Sequence, residues 1–116
     1  MAATPEAKVK AKIHKALKDA GAYAVNYIGG MYAANGTPDI LACLDGRFIG
    51  IEAKAGYNKP TSIQVLSLRK IDKAGGLALV INEKNMDYLH TCLADIHNAV
   101  HNYHPYEKIL DEANND

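Results

Sequence analysis

The sequence predicts an α/β fold, with a mixed central sheet flanked by helices, elements in the order α-β-β-β-α-β, and one more helix towards the C-terminus. Three observations lead there. Two apolar runs flank Asp45-Gly46, the strongest short-range hairpin signal. Residues 5–20 and 62–74 carry apolar side chains at helical spacing. Leu77-Ala78-Leu79-Val80-Ile81 is an unbroken apolar run following a helix, as expected of a strand buried on both faces and paired parallel to a neighbour.

Thr4-Pro5-Glu6 reads as a helix start, with Thr at the N-cap, Pro at the first helical position and an acid near the positive end of the dipole. Val9, Ile13, Leu17 and Ala20 follow at helical spacing, and Gly21 closes the helix. Lys8, Lys12 and Lys15 fall on one side of it, a row that spacing alone fits to a solvated face as readily as to phosphate contact. Tyr23, Val25 and Tyr27 alternate with Ala24 and Asn26 as a first strand. Gly29 to Thr37 then forms a glycine-rich loop carrying Met31 and Tyr32. Tyr32 suits stacking on a base or sugar, or folding back onto the core.

With Asp45 and Gly46 as a two-residue loop, Leu44 faces Arg47 and, further out, Asp39 faces Glu52. Side chains so placed have Cβ atoms ~5 Å apart, and two acids there repel. A divalent cation such as Mg²⁺ offsets the repulsion, because paired carboxylates are hard oxygen donors. Period 2 puts Lys54 on the same face as Glu52. The opposite face carries Ile40, Ala42, Leu44, Ile49, Ile51 and Ala53, a continuous surface for the core. A one-residue slip would reverse the two faces. Leu41, Cys43 and Phe48 share the acidic face, so a helix is expected to cover that end. The plainer alternative is a surface hairpin in which Lys54 neutralises Glu52 and Asp39 caps a turn after Pro38.

After a loop at 55–60 that holds Lys59 beside the acidic patch, Thr61 or Ser62 caps a second helix. Gln64, Leu68 and Ile71 share one face of it, so Gln64 looks inward at the sheet, either as a boundary residue or as part of a site. Gly75-Gly76 ends this helix. From Met86, Leu89, Leu93, Ile96 and Val100 describe a third amphipathic helix. His90, His97 and His101 lie on it, read as solvated histidines because no third ligand completes the His97/His101 spacing into a zinc site. Residues 1–101 form the expected domain, and 102–116 an acidic tail with Tyr106, Ile109 and Leu110 able to make a short docking helix.

The 116 residues carry no net charge, yet the charge is unevenly spread. Residues 1–84 hold twelve Lys and Arg against seven acids, and residues 85–116 hold one against six. A basic first part points to a polyanionic partner. Cys43 and Cys92 have no zinc-like or disulfide-framework spacing and are expected in the core. No apolar run is long enough to span a bilayer and no export signal is recognisable, which predicts a cytoplasmic protein without membrane contact.

Gly36-x-Pro38-Asp39, then Glu52-Ala53-Lys54 ending the next strand, then Gln64 and Leu68 on a helix, resembles the PD-(D/E)XK nuclease superfamily. Within it the likeness is greatest to the stand-alone, virus-type VRR-Nuc domain, related to Holliday junction resolvases; it covers residues ~4–82 and rests on these elements appearing in order. The resemblance implies a restriction-endonuclease-like αβββαβ core. It implies that Asp39 and Glu52 bind metal with the Ala53 carbonyl as a further ligand, that Lys54 orients or activates water, and that Gln64 supports the site. Glu6 would be the further acid that members often place on the first helix. Ala53 departs from the bulkier β-branched residue often found there.

The expectation is therefore a Mg²⁺-dependent endodeoxyribonuclease, with Mn²⁺ as a substitute and no small-molecule cofactor. It would cut branched DNA such as four-way junctions, act as a homodimer, and work in a bacterial or phage-infected cell. Lys8, Lys12, Lys15, Tyr32 and Lys59 are the candidate DNA contacts. The alternatives are a sequence-specific restriction-type endonuclease, or a non-catalytic module of the same fold that binds DNA or protein.

Overall fold

The computed structural model describes residues 3–29 and 35–102. Its elements run α1 (Pro5–Asp19), β1 (Tyr23–Asn26), β2 (Ile40–Leu44), β3 (Arg47–Ala53), α2 (Ser62–Lys73), β4 (Leu77–Ile81) and α3 (Met86–Asn102). Tyr32, the tail beyond Asn102, and the side chains of Val100 and His101 lie outside the described residues. The four strands form one mixed sheet in the order β1-β2-β3-β4, antiparallel except for the parallel β3/β4 pair.

The starts of α1 and α2 and the turn between β2 and β3 have local causes. Thr4 caps α1 by accepting from the Ala7 N–H at 3.1 Å, with Pro5 in the first turn. Thr61 caps α2 through a capping box: its hydroxyl accepts from the Gln64 N–H, and the Gln64 side-chain oxygen accepts from the Thr61 N–H at 2.8 Å. Asp45 and Gly46 both have positive φ, 51° and 83°, the backbone of a type I′ turn whose twist matches the strands it joins. That turn sets the expected register, with Leu44 opposite Arg47 and Ile40 opposite Ile51. On the other side of the turn, His97 of α3 meets the Asp45 carboxylate at 3.2 Å.

The main core lies on one face of the sheet. Val9, Ile13, Ala16 and Leu17 of α1 and Leu89, Leu93 and Ile96 of α3 pack there with Ile40, Ala42, Leu44, Ile49, Ile51, Ala53, Leu79 and Ile81. Burying that apolar surface, at about 25 cal/mol per Å², is the principal stabilisation available to a chain of this size. Helix α2 lies against the other face, where Ile71 packs over Gly50 and Gly76.

Several expectations need correction. Helix α2 covers β3 near Gly50 but not the turn end, so Phe48 is 45% exposed and Cys43 is exposed. Cys43 is therefore not a core residue, whereas Cys92 packs partly buried against the core. Strand β4 is fully buried only at Leu79 and Ile81, because its second face is only partly covered. Tyr27 falls outside β1, although its N–H still donates to the Asp39 carbonyl at 2.7 Å. Among the described residues no helix is long and apolar enough to cross a membrane.

The segment that delivers Asp39 is pinned against α2 at Gly36. Gly36 has φ +80°, and a Cβ there would stand 2.6 Å from the Ile63 carbonyl oxygen, a backbone atom that cannot swing aside. Replacing Gly36 by Ala is expected to lower stability by about 1–3 kcal/mol, measurable as a fall in unfolding midpoint against wild type in urea.

Candidate metal centre

Extending the observed β2/β3 register by one pair places Asp39 across from Glu52, near enough for the Asp39 carboxyl to perturb the Glu52 carboxyl. Asp39 lies just before β2, held at both its backbone and its side chain. Its carbonyl accepts from Tyr27, and its Oδ2 accepts from the Ala53 N–H at 3.0 Å. Lys10 of α1 stands 3.7 Å from Asp39 Oδ1. Glu52 Oε1 accepts from Gln64 Nε2 at 3.0 Å and lies 3.8 Å from Lys54 Nζ. Gln64 thus serves the α2 cap with its oxygen and Glu52 with its nitrogen, which fixes the orientation of its amide.

The remaining oxygen, Glu52 Oε2, is buried and has no hydrogen-bond partner. An ionised carboxylate left this way costs several kcal/mol unless a proton or a cation compensates. In the metal-free chain the proton does so. Burial, then the neighbouring Asp39 carboxyl, push the Glu52 carboxyl up to about 7 against the pull of Lys54, with Glu6 adding a smaller upward push. Glu6 is therefore near enough to act on Glu52 through its field. Among the described residues no three His, Cys, Asp or Glu side chains form a metal-holding group, so Glu6 stands near the pair without closing a three-carboxylate cluster with it.

This donor set fits Mg²⁺ or Mn²⁺ better than Zn²⁺ or a Ca²⁺ cage. Two hard carboxylates leave the other positions to water, which is how Mg²⁺ is usually held. The Ala53 carbonyl is a reasonable third donor on strand geometry. The Lys54 N–H points across to Ile81 of β4 at 3.0 Å. One residue earlier the strand turns its N–H and C=O to the opposite flank, the flank on which the Ala53 N–H already meets Asp39. The patch is only partly open. The Glu52 side chain is 2% exposed, and solvent reaches the pair past Asp39, at 25%, and Lys54, at 15%.

The structure thus brings together Asp39, Glu52, Ala53, Lys54 and Gln64, with Glu6 close by. Lys8, Lys12, Lys15 and Lys59 are all exposed, and Lys15 is taken up by Asp19 at 2.9 Å. Lys10 was the residue that sequence reasoning missed. Its signal was available: Glu6 and Lys10 are spaced i, i+4 and border the buried stripe of α1, so both side chains lean the same way. Comparison with protein-family models and with curated proteins finds no match for this chain.

The sign of the pH dependence follows from the raised Glu52 value. Below about 4.5 the carboxyl is protonated in both folded and unfolded chains and has no effect. Between there and about 7 the unfolded chain ionises while the folded one keeps its proton, so stability falls as pH rises; above about 7 the loss is complete. At about 1.4 kcal/mol per pH unit the loss is of order 3 kcal/mol. In EDTA, wild type is expected to lose stability from pH 5 to 8 by about that much more than Glu52→Gln, and Mg²⁺ or Mn²⁺ at pH 8 is expected to restore wild type only. Thermal melts across that pH range check both points.

Proposed function

We propose that this chain is a metal-dependent endonuclease that hydrolyses DNA phosphodiesters on a restriction-endonuclease-like core of the PD-(D/E)XK, VRR-Nuc type. The observation that carries the reading is the buried, unpartnered Glu52 Oε2 beside the Asp39 carboxyl, with Lys54 on the same face. A carboxylate pair that supports only the fold would have both acids fully hydrogen-bonded, since an orphaned buried oxygen lowers stability with no structural return. The sequence resemblance and the αβββαβ order support the same reading.

Asp39 and Glu52, with the Ala53 carbonyl, would hold the ion. When bound, Mg²⁺ supplies charge neutralisation at the phosphate and lowers the pKa of a coordinated water. The rest belongs to the protein. Gln64 donates to Glu52 Oε1 and so leaves Oε2 as the free ligand atom. The Ala53 N–H fixes Asp39 by its Oδ2. Lys10 approaches Oδ1 and limits repulsion between the acids while no cation is present. Lys54, fixed at the end of β3, orients the attacking water and offsets negative charge that builds on the phosphoryl oxygens.

Branched DNA is the proposed substrate class, because nothing in a domain of this size resembles a base-reading module and backbone shape is what remains to be read. A homodimer would place two such sites in symmetry. One observation favours a second reading, a non-catalytic binding module: Lys10 and Lys54 already stand within ion-pair distance of the two acids without any ion.

Labelled four-way, flap and linear DNA incubated in Mg²⁺ separates these readings. Wild type is expected to cut branched DNA in preference to linear duplex. Asp39→Ala and Lys54→Met are each expected to cut at least about a hundredfold more slowly. Equal cutting by Asp39→Ala would refute the site, and binding without cutting by wild type would favour the non-catalytic module.

A further inference from the structure

The parallel strands β3 and β4 end side by side, Ala53 opposite Ile81, and two loops leave from that edge: 54–61 towards α2 and 82–85 towards α3. The loops are tied to each other. Gly56 N–H donates to Glu83 Oε1 at 2.7 Å, and Lys84 Nζ sits 3.3 Å from the centre of the Tyr57 ring. Each loop is also stiffened from within. Asn58 N–H donates to the Ala55 carbonyl. Asn82 Oδ1 accepts from the Lys84 and Asn85 N–H groups, and Asn85 returns bonds to Asn82 N–H and to the Val80 carbonyl.

The result is an aromatic ring that carries a cation on one face and is yet 90% exposed. One face carries the Lys84 ammonium; the rest is open to solvent. Neither core packing nor burial accounts for a tyrosine there. The loop also stands beside the carboxylates. Tyr57 follows Lys54 by three residues, so their Cα atoms are at most about 11 Å apart, a span comparable to a few nucleotides of rise along one strand. Lys59, in the same loop, is exposed as well. Glu83, the one acid in the two loops, has its carboxylate occupied by the Gly56 N–H.

We propose that Tyr57, positioned by Lys84, is a stacking platform for an unpaired base next to the phosphodiester presented to Asp39 and Glu52. The preferred substrate is then DNA with unpaired nucleotides beside the cut, such as a flap or fork, over a fully paired duplex or four-way junction. Stacking needs an accessible base face, which an unpaired nucleotide offers and a base inside a duplex stack does not. The ammonium on the far side of the ring strengthens the platform and stays available to backbone phosphate. The position beside a scissile bond rests on the nuclease reading; the stacking itself does not.

Fluorescence anisotropy with labelled DNA, in Ca²⁺ to separate binding from turnover, tests this. A forked DNA is compared with a continuous duplex of the same sequence. Tyr57→Ala is expected to weaken binding to the fork about tenfold, within five- to a hundredfold, and to leave duplex binding unchanged. Tyr57→Phe keeps wild-type affinity. Abasic sites at the unpaired positions nearest the branch bring wild type down to Tyr57→Ala. Lys84→Gln gives part of the loss and Lys84→Arg recovers it, a reversal that loosening of the loop alone would not produce. Equal loss on fork and duplex, or a lower melting temperature with unchanged affinity, overturns the platform. Cleavage in Mg²⁺ is scored separately. Fork-selective binding without cutting by wild type sinks the nuclease reading and spares the platform, whereas cutting with Tyr57→Ala bound as tightly as wild type sinks the platform alone.

Discussion

Two carboxyls set across from each other, one of them cut off from water, impose the conditions that everything around them meets. Asp39 and Glu52 are brought together by a two-residue turn at the far end of their strands, so their proximity is inherited from the Asp45-Gly46 backbone and from the apolar face that forbids a slip. Around that contact the chain places one amide donor from Gln64, one backbone N–H from Ala53 and two ammonium groups at the edge of ion-pair distance. None of these reaches Glu52 Oε2. The local hydrogen bonding is therefore incomplete at one buried oxygen.

Much of this was legible from residues alone, and for identifiable reasons. A type I′ turn has few sequence solutions, so Asp45-Gly46 between apolar runs determined the register, and the register determined which acids meet. Helix caps were equally readable because Thr4-Pro5 and Thr61 act through local geometry. What failed was coverage. Periodicity says which face of β2 and β3 is apolar, but not how far along that face a helix extends, and α2 stops short of Cys43 and Phe48. The same limit applies to β4, where a continuous apolar run did not mean burial on both faces.

Lys10 illustrates a second kind of omission. A search for phosphate-binding lysines favours exposed rows such as Lys8, Lys12 and Lys15, whereas the lysine that reaches Asp39 is half-buried at the border of the buried stripe. The interlock of Tyr57, Lys84, Gly56 and Glu83 was invisible for another reason. It joins loops brought together only by the parallel pairing of β3 with β4, a relation between segments distant in sequence.

Gln64 carries a consequence that reaches beyond the carboxylates. One amide group closes the first turn of α2 and also steadies Glu52, so the two cannot be loosened independently. Fraying at that helix end releases the carboxylate, and whatever tightens the carboxylate's hold on Gln64 restrains the fraying. Breathing of that helix end and the hold on Glu52 are two readouts of a single equilibrium, so amide protection at the start of α2 reports on the carboxylate.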